Sequence, residues 1–368
     1  MKKLKLMTIV GTRPEIIKLS ETIKQCDKYF EQVLVHTGQN YDYNLNEVFF
    51  KELGIRKPDF YLNVVGEDLG QTMGNVLSKS YDIMIKEKPD ALLVLGDTNS
   101  CLSVISAKRL KIPIFHMEAG NRCFDENLPE EINRKIIDHT SDINLCYTEH
   151  ARRNLNDEWL ATDKTFVIGS PMNEVLTVNK DNICNSKVLE TLNIESGNYI
   201  LLSAHREENI DNENNFNTLM NTINTMSTHY NIPIIYSVHP RSEKMISERK
   251  FVFNENVIQL TPFGFADYNC LQKNALCVVS DSGTLAEESS YFRFPAVSIR
   301  TSTERPEAID SGNLIIGNIK AEQVLQSVDM AIEMTKSGYV GQNILNYNIP
   351  TVSDSVVKII QSYTGLIW

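Results

Sequence analysis

Residues that can move protons or bind anions follow six predicted β-strands directly. In the N-terminal half these segments are Gly11–Glu15, Gly96–Ser100 and Glu118–Arg122, and in the C-terminal half they are His205–Asn209, His239–Pro240 and Asp281–Thr284. Carboxylates and imidazoles transfer protons, and basic side chains stabilise departing anions. Because ligands of open α/β sheets bind at the carboxyl ends of the strands, we expect these segments to line a cleft.

The turn Ser282–Thr284 lies where a helix is predicted to begin, which suits the binding of an anion such as a phosphate. The N-terminus of a helix offers free N–H groups and partial positive charge, and Gly283 would let the backbone approach the ligand. Arg13 and Arg206, which each follow a strand closely, would add charge. Ordinary helix capping explains the same turn. Neither GxGxxG nor GxxxxGK[ST] occurs, so the sequence lacks the common NAD and P-loop motifs.

Carboxylates at two successive strand ends, Asp97 and Glu118, are candidate acids and bases. Asp97 is equally well explained as a turn residue or a helix cap. Glu130 and Arg134 are four residues apart on a predicted helix, so they share one face and can point at one ligand. Glu131 is expected to point elsewhere, although glutamates are also common in a first helical turn for electrostatic reasons.

Two histidines, His205 and His116, are candidates for different roles. His205 ends a strand and is a candidate for proton transfer, although an isolated histidine is more often structural. His116-Met117-Glu118 matches the HxE motif of zinc deaminases, but the PCxxC motif that accompanies it is missing and no HExxH occurs. The sequence therefore predicts no metal site.

The elements that would position these residues follow a βαβ rhythm, in which short apolar runs alternate with longer amphipathic segments. This rhythm predicts α/β domains with parallel sheets wrapped by helices. It extends from Leu4 to Ile168, stops in a polar stretch and restarts at Tyr199. We predict an N-terminal Rossmann-like domain over 1–172, a linker over 173–197 and a C-terminal Rossmann-like domain over 198–351. A last helix is predicted near the C-terminus.

Composition excludes several classes of protein. The chain has 368 residues, 42% of them hydrophobic, and a net charge of −11 without a basic stripe, so nucleic acid and anionic membranes are poor candidate partners. Its seven cysteines are odd in number and form no CxxC motif, which argues against a disulfide framework. No apolar run approaches the roughly 20 residues that span a bilayer. We expect a cytoplasmic protein.

The motifs together carry a resemblance to one family. Over nearly its whole length the chain resembles the non-hydrolysing UDP-N-acetylglucosamine 2-epimerases, through GTRPEIIK (11–18), GDT (96–98), HMEAGNR (116–122), LPEEINRKI (128–136), HRE (205–207), HP (239–240), DSGTLAEE (281–288) and TERPEA (303–308). The resemblance implies two Rossmann-like domains that face each other across a cleft, as in glycosyltransferases of the B type. Residues 352–368 would pack back on the first domain, and the second would bind UDP. The resemblance also implies a homodimer that uses no cofactor and no metal.

The family's activity implies a role for each matching residue. A UDP-N-acetylhexosamine is inverted at C2 by anti elimination of UDP to a glycal, followed by re-addition. The implied catalytic residues are Lys18, Asp97, Glu118, Glu130 and His205. The implied substrate-binding residues are Arg13, Arg134, Arg206, His239, Pro262, Phe263, Ser282, Gly283, Thr284 and Glu288.

Three departures from the family's usual motifs bear on the substrate. Residues 38–50 read GQNYDYNLNEVFF, Glu207 replaces the expected arginine in HREE, and Thr284 replaces glycine in SGT. They argue against the family's allosteric site and its standard substrate. The segment 123–155 looks most like the capsule and O-antigen branch, the UDP-N-acetyl-L-fucosamine synthases, which act on UDP-2-acetamido-2,6-dideoxy-L-talose. The alternatives are conversion of UDP-N-acetylglucosamine to UDP-N-acetylmannosamine and a glycosyltransferase of the same fold.

Overall fold

The chain folds into two compact units, each built on one parallel β-sheet. The computed structural model describes residues 2–39 and 43–367, and the side chains of 43–47 are not described. One unit consists of Met1–Val178 and Leu345–Trp368, and the other of Asn179–Ile344. The predicted α/β class with two Rossmann-like domains is therefore confirmed. The segment 38–50, which departs from the family's usual motif, includes residues 40–42, which lie outside the described residues.

The first unit carries a seven-stranded sheet in the order β3-β2-β1-β4-β5-β6-β7, with parallel pairing throughout. The strands are β1 (Lys5–Val10), β2 (Glu31–His36), β3 (Phe60–Tyr61), β4 (Ala91–Leu95), β5 (Ile114–Met117), β6 (Ile143–Cys146) and β7 (Thr165–Val167). The helices are α1 (Arg13–Tyr29), α2 (Tyr43–Glu52), α3 (Leu69–Glu87), α4 (Ser103–Arg109), α5 (Pro129–Thr140), α6 (Glu149–Asp157) and α7 (Met172–Val178), with α17 (Val352–Tyr363) returning from the end of the chain.

The second unit carries a six-stranded parallel sheet in the order β10-β9-β8-β11-β12-β13. Its strands are β8 (Ile200–Ser203), β9 (Ile234–Ser237), β10 (Val257–Leu260), β11 (Cys277–Ser280), β12 (Ala296–Ser298) and β13 (Ile315–Ile316). Its helices are α8 (Lys180–Cys184), α9 (Val188–Leu192), α10 (Glu207–Ile210), α11 (Glu213–Tyr230), α12 (Pro240–Glu248), α13 (Phe265–Asn274), α14 (Leu285–Phe292), α15 (Pro306–Asp310) and α16 (Ala321–Lys336).

Both sheets reverse their strand order at one point, between β1 and β4 in the first unit and between β8 and β11 in the second. At such a switch point the loops leave in opposite directions and open a crevice at the carboxyl ends of the strands. Each unit therefore positions its candidate residues at the place where doubly wound sheets bind ligands.

Continuous apolar runs explain why these strands are central. All five residues of β4 are buried, and β6 is buried along its whole length. Parallel sheets are covered by helices on both faces, so their strands are apolar without alternation. Helix α1 begins where Thr12 and Glu15 form a capping box and Pro14 occupies the first turn, as the sequence GTRPE predicts.

The segment predicted as a linker is not an irregular connection. Residues 173–197 contain most of α7 and all of α8 and α9, which are too short for a pattern search to separate from loop. Helix α17 packs against α1, and Ser353 at its start donates its backbone N–H to Glu174 of α7 at 2.9 Å. None of the described helices is long and apolar enough to cross a bilayer.

Candidate active site

The turn between β1 and α1 is organised by a buried carboxylate, Glu15. Its Oε2 accepts the backbone N–H groups of Gly11 at 3.1 Å and Thr12 at 2.7 Å, and also the Thr12 hydroxyl. This closes the turn and presents Arg13, whose guanidinium lies 5.6 Å from the centre of the Phe49 ring. Sequence reasoning did not single out Glu15, although its position three residues after Thr12 is the signature of a capping box.

Glu15 also connects this turn to the next strand end. Its Oε1 accepts the Thr98 hydroxyl at 3.2 Å, so the loops after β1 and β4 are joined next to Asp97. Burial raises the pKa of Glu15 to about 7, although the hydrogen bonds from Thr12, Gly11 and Thr98 favour the charged form. Glu15 therefore titrates near neutral pH at the switch point of the first sheet.

Lys18 of α1 and Glu118, which directly follows β5, form an ion pair. The two charged atoms, Nζ and Oε2, are 2.7 Å apart, and the side chains are only 6% and 10% exposed. The hydroxyl of Tyr147, a fully buried residue that follows β6, donates to the same oxygen at 3.2 Å. Glu118 has a φ of 66°, which is unusual for a residue other than glycine and costs about 1–3 kcal/mol. The fold thus holds this carboxylate in a strained and specific orientation.

Asp97, at the end of β4, is held by Arg134 of α5. The Arg134 Nε donates to Asp97 Oδ2 at 2.7 Å, while its Nη1 donates to Glu131 Oε2 at 2.7 Å. Glu131, which was expected to point elsewhere, is fully buried and contacts the same arginine, because residues three apart on a helix are also neighbours. Burial opposes the charge of Glu131, but N–H and S–H donation from Cys123 and the charge of Arg134 leave its pKa lowered. Glu130 lies half-buried at the start of α5.

His116 of β5 contacts both the turn that carries Asp97 and the helix α5. Its Nε2 donates to the Gly96 carbonyl at 2.8 Å, and its Nδ1 lies 2.9 Å from Asp138 Oδ1. Gly96 precedes Asp97, and Asp138 of α5 also accepts from Arg122 at 2.7 Å. Sequence reasoning considered His116 only as a metal ligand. Among the described residues, no cluster of three or more His, Cys, Asp or Glu side chains is placed to hold a metal ion.

In the second unit, His205 follows β8 and lies beside Asp281, which follows β11. Their Nδ1 and Oδ1 atoms are 3.1 Å apart, and Asp281 is fully buried. The ring of His239, the N-cap of α12, stacks on the His205 ring with 5.5 Å between centroids. The sequence places Asp281 in a strand-end segment just before a predicted helix start, and this position was the available signal for a role in the site.

The turn Ser282–Thr284 precedes α14, which begins at Leu285 with Thr284 as its N-cap. The Ser282 and Thr284 hydroxyls are 3.0 Å apart. A Cβ on Gly283 would lie 2.9 Å from Glu304 Oε1, so a larger residue at this position would require the Glu304 carboxylate to shift. Arg206 donates its Nε to the Asp281 carbonyl at 3.0 Å, which places it next to the same turn.

The remaining predicted binding residues lie in the second unit. Glu288 is buried on α14 and accepts from Gln272 Nε2 at 2.6 Å. Pro262 and Phe263 are half-buried in the loop after β10, another carboxyl end of a strand. The second unit therefore gathers His205, Arg206, His239 and the Ser282–Thr284 turn at the ends of β8, β9 and β11.

Comparison with known proteins identifies the family. The family model described as UDP-N-acetylglucosamine 2-epimerase matches residues 23–361. The chain superposes on the solved structure of UDP-N-acetylglucosamine 2-epimerase from Rickettsia bellii with a TM-score of 0.91, at 46% identity and covering 99% of this chain and 98% of that one.

Two further relatives extend the comparison. The Methanocaldococcus jannaschii UDP-GlcNAc 2-epimerase, solved in complex with UDP-GlcNAc and UDP, matches with a TM-score of 0.92 and 33% identity over 98% of this chain and 100% of that one. The UDP-2,3-diacetamido-2,3-dideoxy-D-glucuronate 2-epimerase of Pseudomonas aeruginosa is 32% identical over 90% of this chain and 93% of its own length. The chain therefore belongs to the UDP-N-acetylglucosamine 2-epimerase family and is a non-hydrolysing epimerase, an isomerase.

Proposed function

We propose that the chain inverts the configuration at C2 of a UDP-N-acetylhexosamine. C2 has no carbonyl beside it, so its proton is not acidic, and the workable route is elimination. C2 loses its proton as the C1–O bond to UDP breaks, which yields a glycal and UDP. A UDP oxygen then re-forms the bond to C1 while C2 receives a proton on its opposite face. The reaction is balanced without an external oxidant or reductant.

The observation that carries this proposal is the pair of carboxylates at neighbouring strand ends, each held by its own cation. Glu118 after β5 is paired with Lys18, and Asp97 after β4 is paired with Arg134. Inversion requires proton-transfer groups on two faces of the sugar. Two acids with different partners are suited to different roles, and Glu130 on α5 supplies a third.

The second unit supplies groups suited to the diphosphate and a further proton-transfer group. Ser282, Gly283 and Thr284 offer hydroxyls and backbone N–H groups before α14, and Arg206 lies beside them. Such donors stabilise negative charge as the C1–O bond breaks. We place UDP here, with the other predicted binding residues of the second unit around it, and assign proton transfer to His205. The M. jannaschii relative solved with UDP-GlcNAc and UDP supports a UDP-sugar as the ligand class.

We further propose UDP-2-acetamido-2,6-dideoxy-L-talose as the substrate and UDP-N-acetyl-L-fucosamine as the product, for capsule or O-antigen synthesis in the cytoplasm. The support is the resemblance of segment 123–155 to the UDP-N-acetyl-L-fucosamine synthases, together with the sequence departures, which argue against the standard substrate. Glu207, where the family has arginine, pairs with Arg241, and the hydroxyl of Thr284, where the family has glycine, contacts that of Ser282. The competing substrate is UDP-N-acetylglucosamine, after which the R. bellii relative is named. The P. aeruginosa relative is named for a third sugar, so this level of similarity does not fix the substrate.

The test is to incubate the purified protein with each sugar nucleotide in D₂O and follow C2 by proton NMR. Deuterium should enter C2 of the L-talo or L-fuco sugar, and the Asp97→Asn variant should exchange at least about 10²-fold more slowly. Faster exchange with UDP-N-acetylglucosamine would overturn the proposed substrate and keep the reaction. Turnover that requires an acceptor would indicate a glycosyltransferase instead. The proposed homodimer is checked separately by light scattering coupled to size-exclusion chromatography.

A further inference from the structure

Asp281 is a buried residue whose carboxylate lies close to both the backbone N–H and the ring of His205. Asp281 Oδ2 accepts the backbone N–H of His205 at 2.8 Å and that of Arg206 at 2.9 Å. Its other oxygen, Oδ1, lies 3.1 Å from His205 Nδ1. The side chain of Asp281 is 0% exposed, whereas that of His205 is 33% exposed. One oxygen therefore fixes the turn after β8 and the other faces one nitrogen of the ring.

The charge state of Asp281 follows from its surroundings. Burial alone would raise the pKa of Asp281, but the charge and hydrogen bond of His205 and the N–H and charge of Arg206 lower it to about 2. The carboxyl is therefore ionised at neutral pH and acts only as a hydrogen-bond acceptor. An ionised oxygen 3.1 Å from Nδ1 favours the form of the ring that carries a proton on that nitrogen. In the neutral imidazole, Nε2 is then the nitrogen without a proton.

The other neighbours of the ring leave this arrangement intact. The His239 ring stacks on the His205 ring at 30° between planes, which fixes the ring plane. Arg206 directs its Nε to the Asp281 carbonyl. Tyr236 directs its hydroxyl to the Ala204 carbonyl at 3.1 Å and so does not compete for Nδ1.

We propose that Asp281 is a positioning residue for the epimerisation, which holds His205 with its proton on Nδ1 so that Nε2 exchanges the proton with the sugar. This inference rests on the proton-transfer role given to His205 in the proposed function. Asp281 itself, buried behind the imidazole, touches no reacting atom. In hydrolases that orient a catalytic histidine with a carboxylate, replacement by the amide preserves the geometry but costs about 10⁴-fold in turnover, because the wrong tautomer is held.

The Asp281→Asn variant separates this role from a structural one. The asparagine oxygen still accepts the two backbone N–H groups, whereas its amide nitrogen donates to Nδ1 and moves the ring proton to Nε2. We expect ¹⁵N NMR of the histidine-labelled full chain to show the Nδ1–H tautomer of His205 in the wild type and the Nε2–H tautomer in the variant. The chain has seven histidines, so the His205 signals are assigned by their loss in His205→Gln.

Turnover is measured on the same samples. Asp281→Asn should lose about 10²–10⁴-fold in kcat, with the KM for the UDP-sugar changed by less than about 3-fold. The control is Asp211→Asn, which removes a carboxylate that is 48% exposed and paired with Arg241 in the same unit, and should behave like the wild type. An equal loss in the control would mean that any missing ion pair impairs this unit, and would overturn the positioning role.

The spectroscopic result decides the inference even if Asp281→Asn does not fold. An Nε2–H tautomer of His205 in the wild type would overturn the role of Asp281, whatever the activity. The expected tautomers combined with normal turnover of both His205→Gln and Asp281→Asn would overturn the proton-transfer role of His205 itself. Failure of the proposed function as a whole would appear instead as no deuterium exchange in any UDP-sugar by the wild type.

Discussion

Lys18 and Glu118, one hundred residues apart in the chain, form a nearly buried ion pair with 2.7 Å between Nζ and Oε2. The ammonium also lies 5.9 Å from the centre of the Tyr147 ring, whose hydroxyl donates to the same carboxylate. Away from water such a pair is stronger than on a surface, and each member left alone is costly. The pair therefore acts as one unit at the switch point of the first sheet.

Substitution of either member should reveal this coupling. We expect Glu118→Gln and Lys18→Met each to reduce kcat by about 10²-fold or more, and the double variant to be no slower than the slower single variant, because each substitution already breaks the same pair. The measurement is kcat in the deuterium-exchange assay.

The control for this cycle is Lys24→Met on the same helix, which removes a more exposed ion pair with Glu21 at 2.7 Å. Such a pair contributes little, so turnover should stay near the wild-type value. Losses that multiply in the Lys18 and Glu118 double variant would show that the two residues act independently.

The strands were the most predictable part of the fold, because buried parallel strands are short continuous apolar runs. The apolar run Ala91–Leu95, for example, forms β4 and is buried along its whole length. Helix α16 (Ala321–Lys336) was missed, since only three of its residues are buried and its apolar face is correspondingly narrow. The two-residue strands β3 and β13 are too short to carry a periodic signal.

The candidate site was predictable at the level of which residues follow strands, but not at the level of their partners. Asp97 and Glu118 were proposed from position alone, whereas their pairing with Arg134 and Lys18 depends on how helices pack beside the strands. Tyr147 gives no sequence signal, because an aromatic residue after an apolar strand is usually core. Contacts between residues far apart in the chain are set by the tertiary fold, which the local pattern does not encode.

Arg134 contacts Asp97 and Glu131 with two different nitrogens, so its planar shape should matter as well as its charge. We expect Arg134→Lys to keep the charge but lose one of the two contacts, because an ammonium is a single point charge. Turnover should fall by about 10-fold or more. Lys135→Gln is the matched control, since it removes an exposed pair with Glu126 from the same helix. Wild-type kcat in Arg134→Lys would show that charge alone suffices.

Glu15 should make the stability of the protein depend on pH. Its pKa is raised from 4.5 to about 7 by burial, so between these values the folded chain binds more protons than the unfolded chain. The contribution of Glu15 to the free energy of unfolding is fully present below about pH 4.5. It is lost as the pH rises through 7, by at most about 1.4 kcal/mol per pH unit. Glu15→Gln lacks this dependence.

The measurement for Glu15 is urea unfolding of both proteins at pH 5, 6, 7 and 8, in which the wild type should lose stability relative to Glu15→Gln as the pH rises. Glu126→Gln, in the same unit with a side chain that is 74% exposed, should remain parallel to the wild type. Parallel curves for the wild type and Glu15→Gln would show that Glu15 titrates alike in the folded and unfolded states.

His116 should matter far more to stability than His139, although both contact the same network of charges. His116 is 1% exposed and faces Asp138 and the Gly96 carbonyl, whereas His139 is 45% exposed and contacts Glu158 at 2.8 Å. His116→Ala removes the hydrogen bond to the Gly96 carbonyl and the polar group that faces Asp138, so we expect it to lower the free energy of unfolding by about 1–3 kcal/mol, the usual cost of a buried polar group left without a partner. His139→Ala should cost less than about 1 kcal/mol, as exposed pairs do. Because Gly96 precedes Asp97, His116→Ala should also slow deuterium exchange at C2 under conditions in which the chain remains folded. Equal unfolding free energies for the two variants would mean that Asp138 is sufficiently compensated by Arg122 alone.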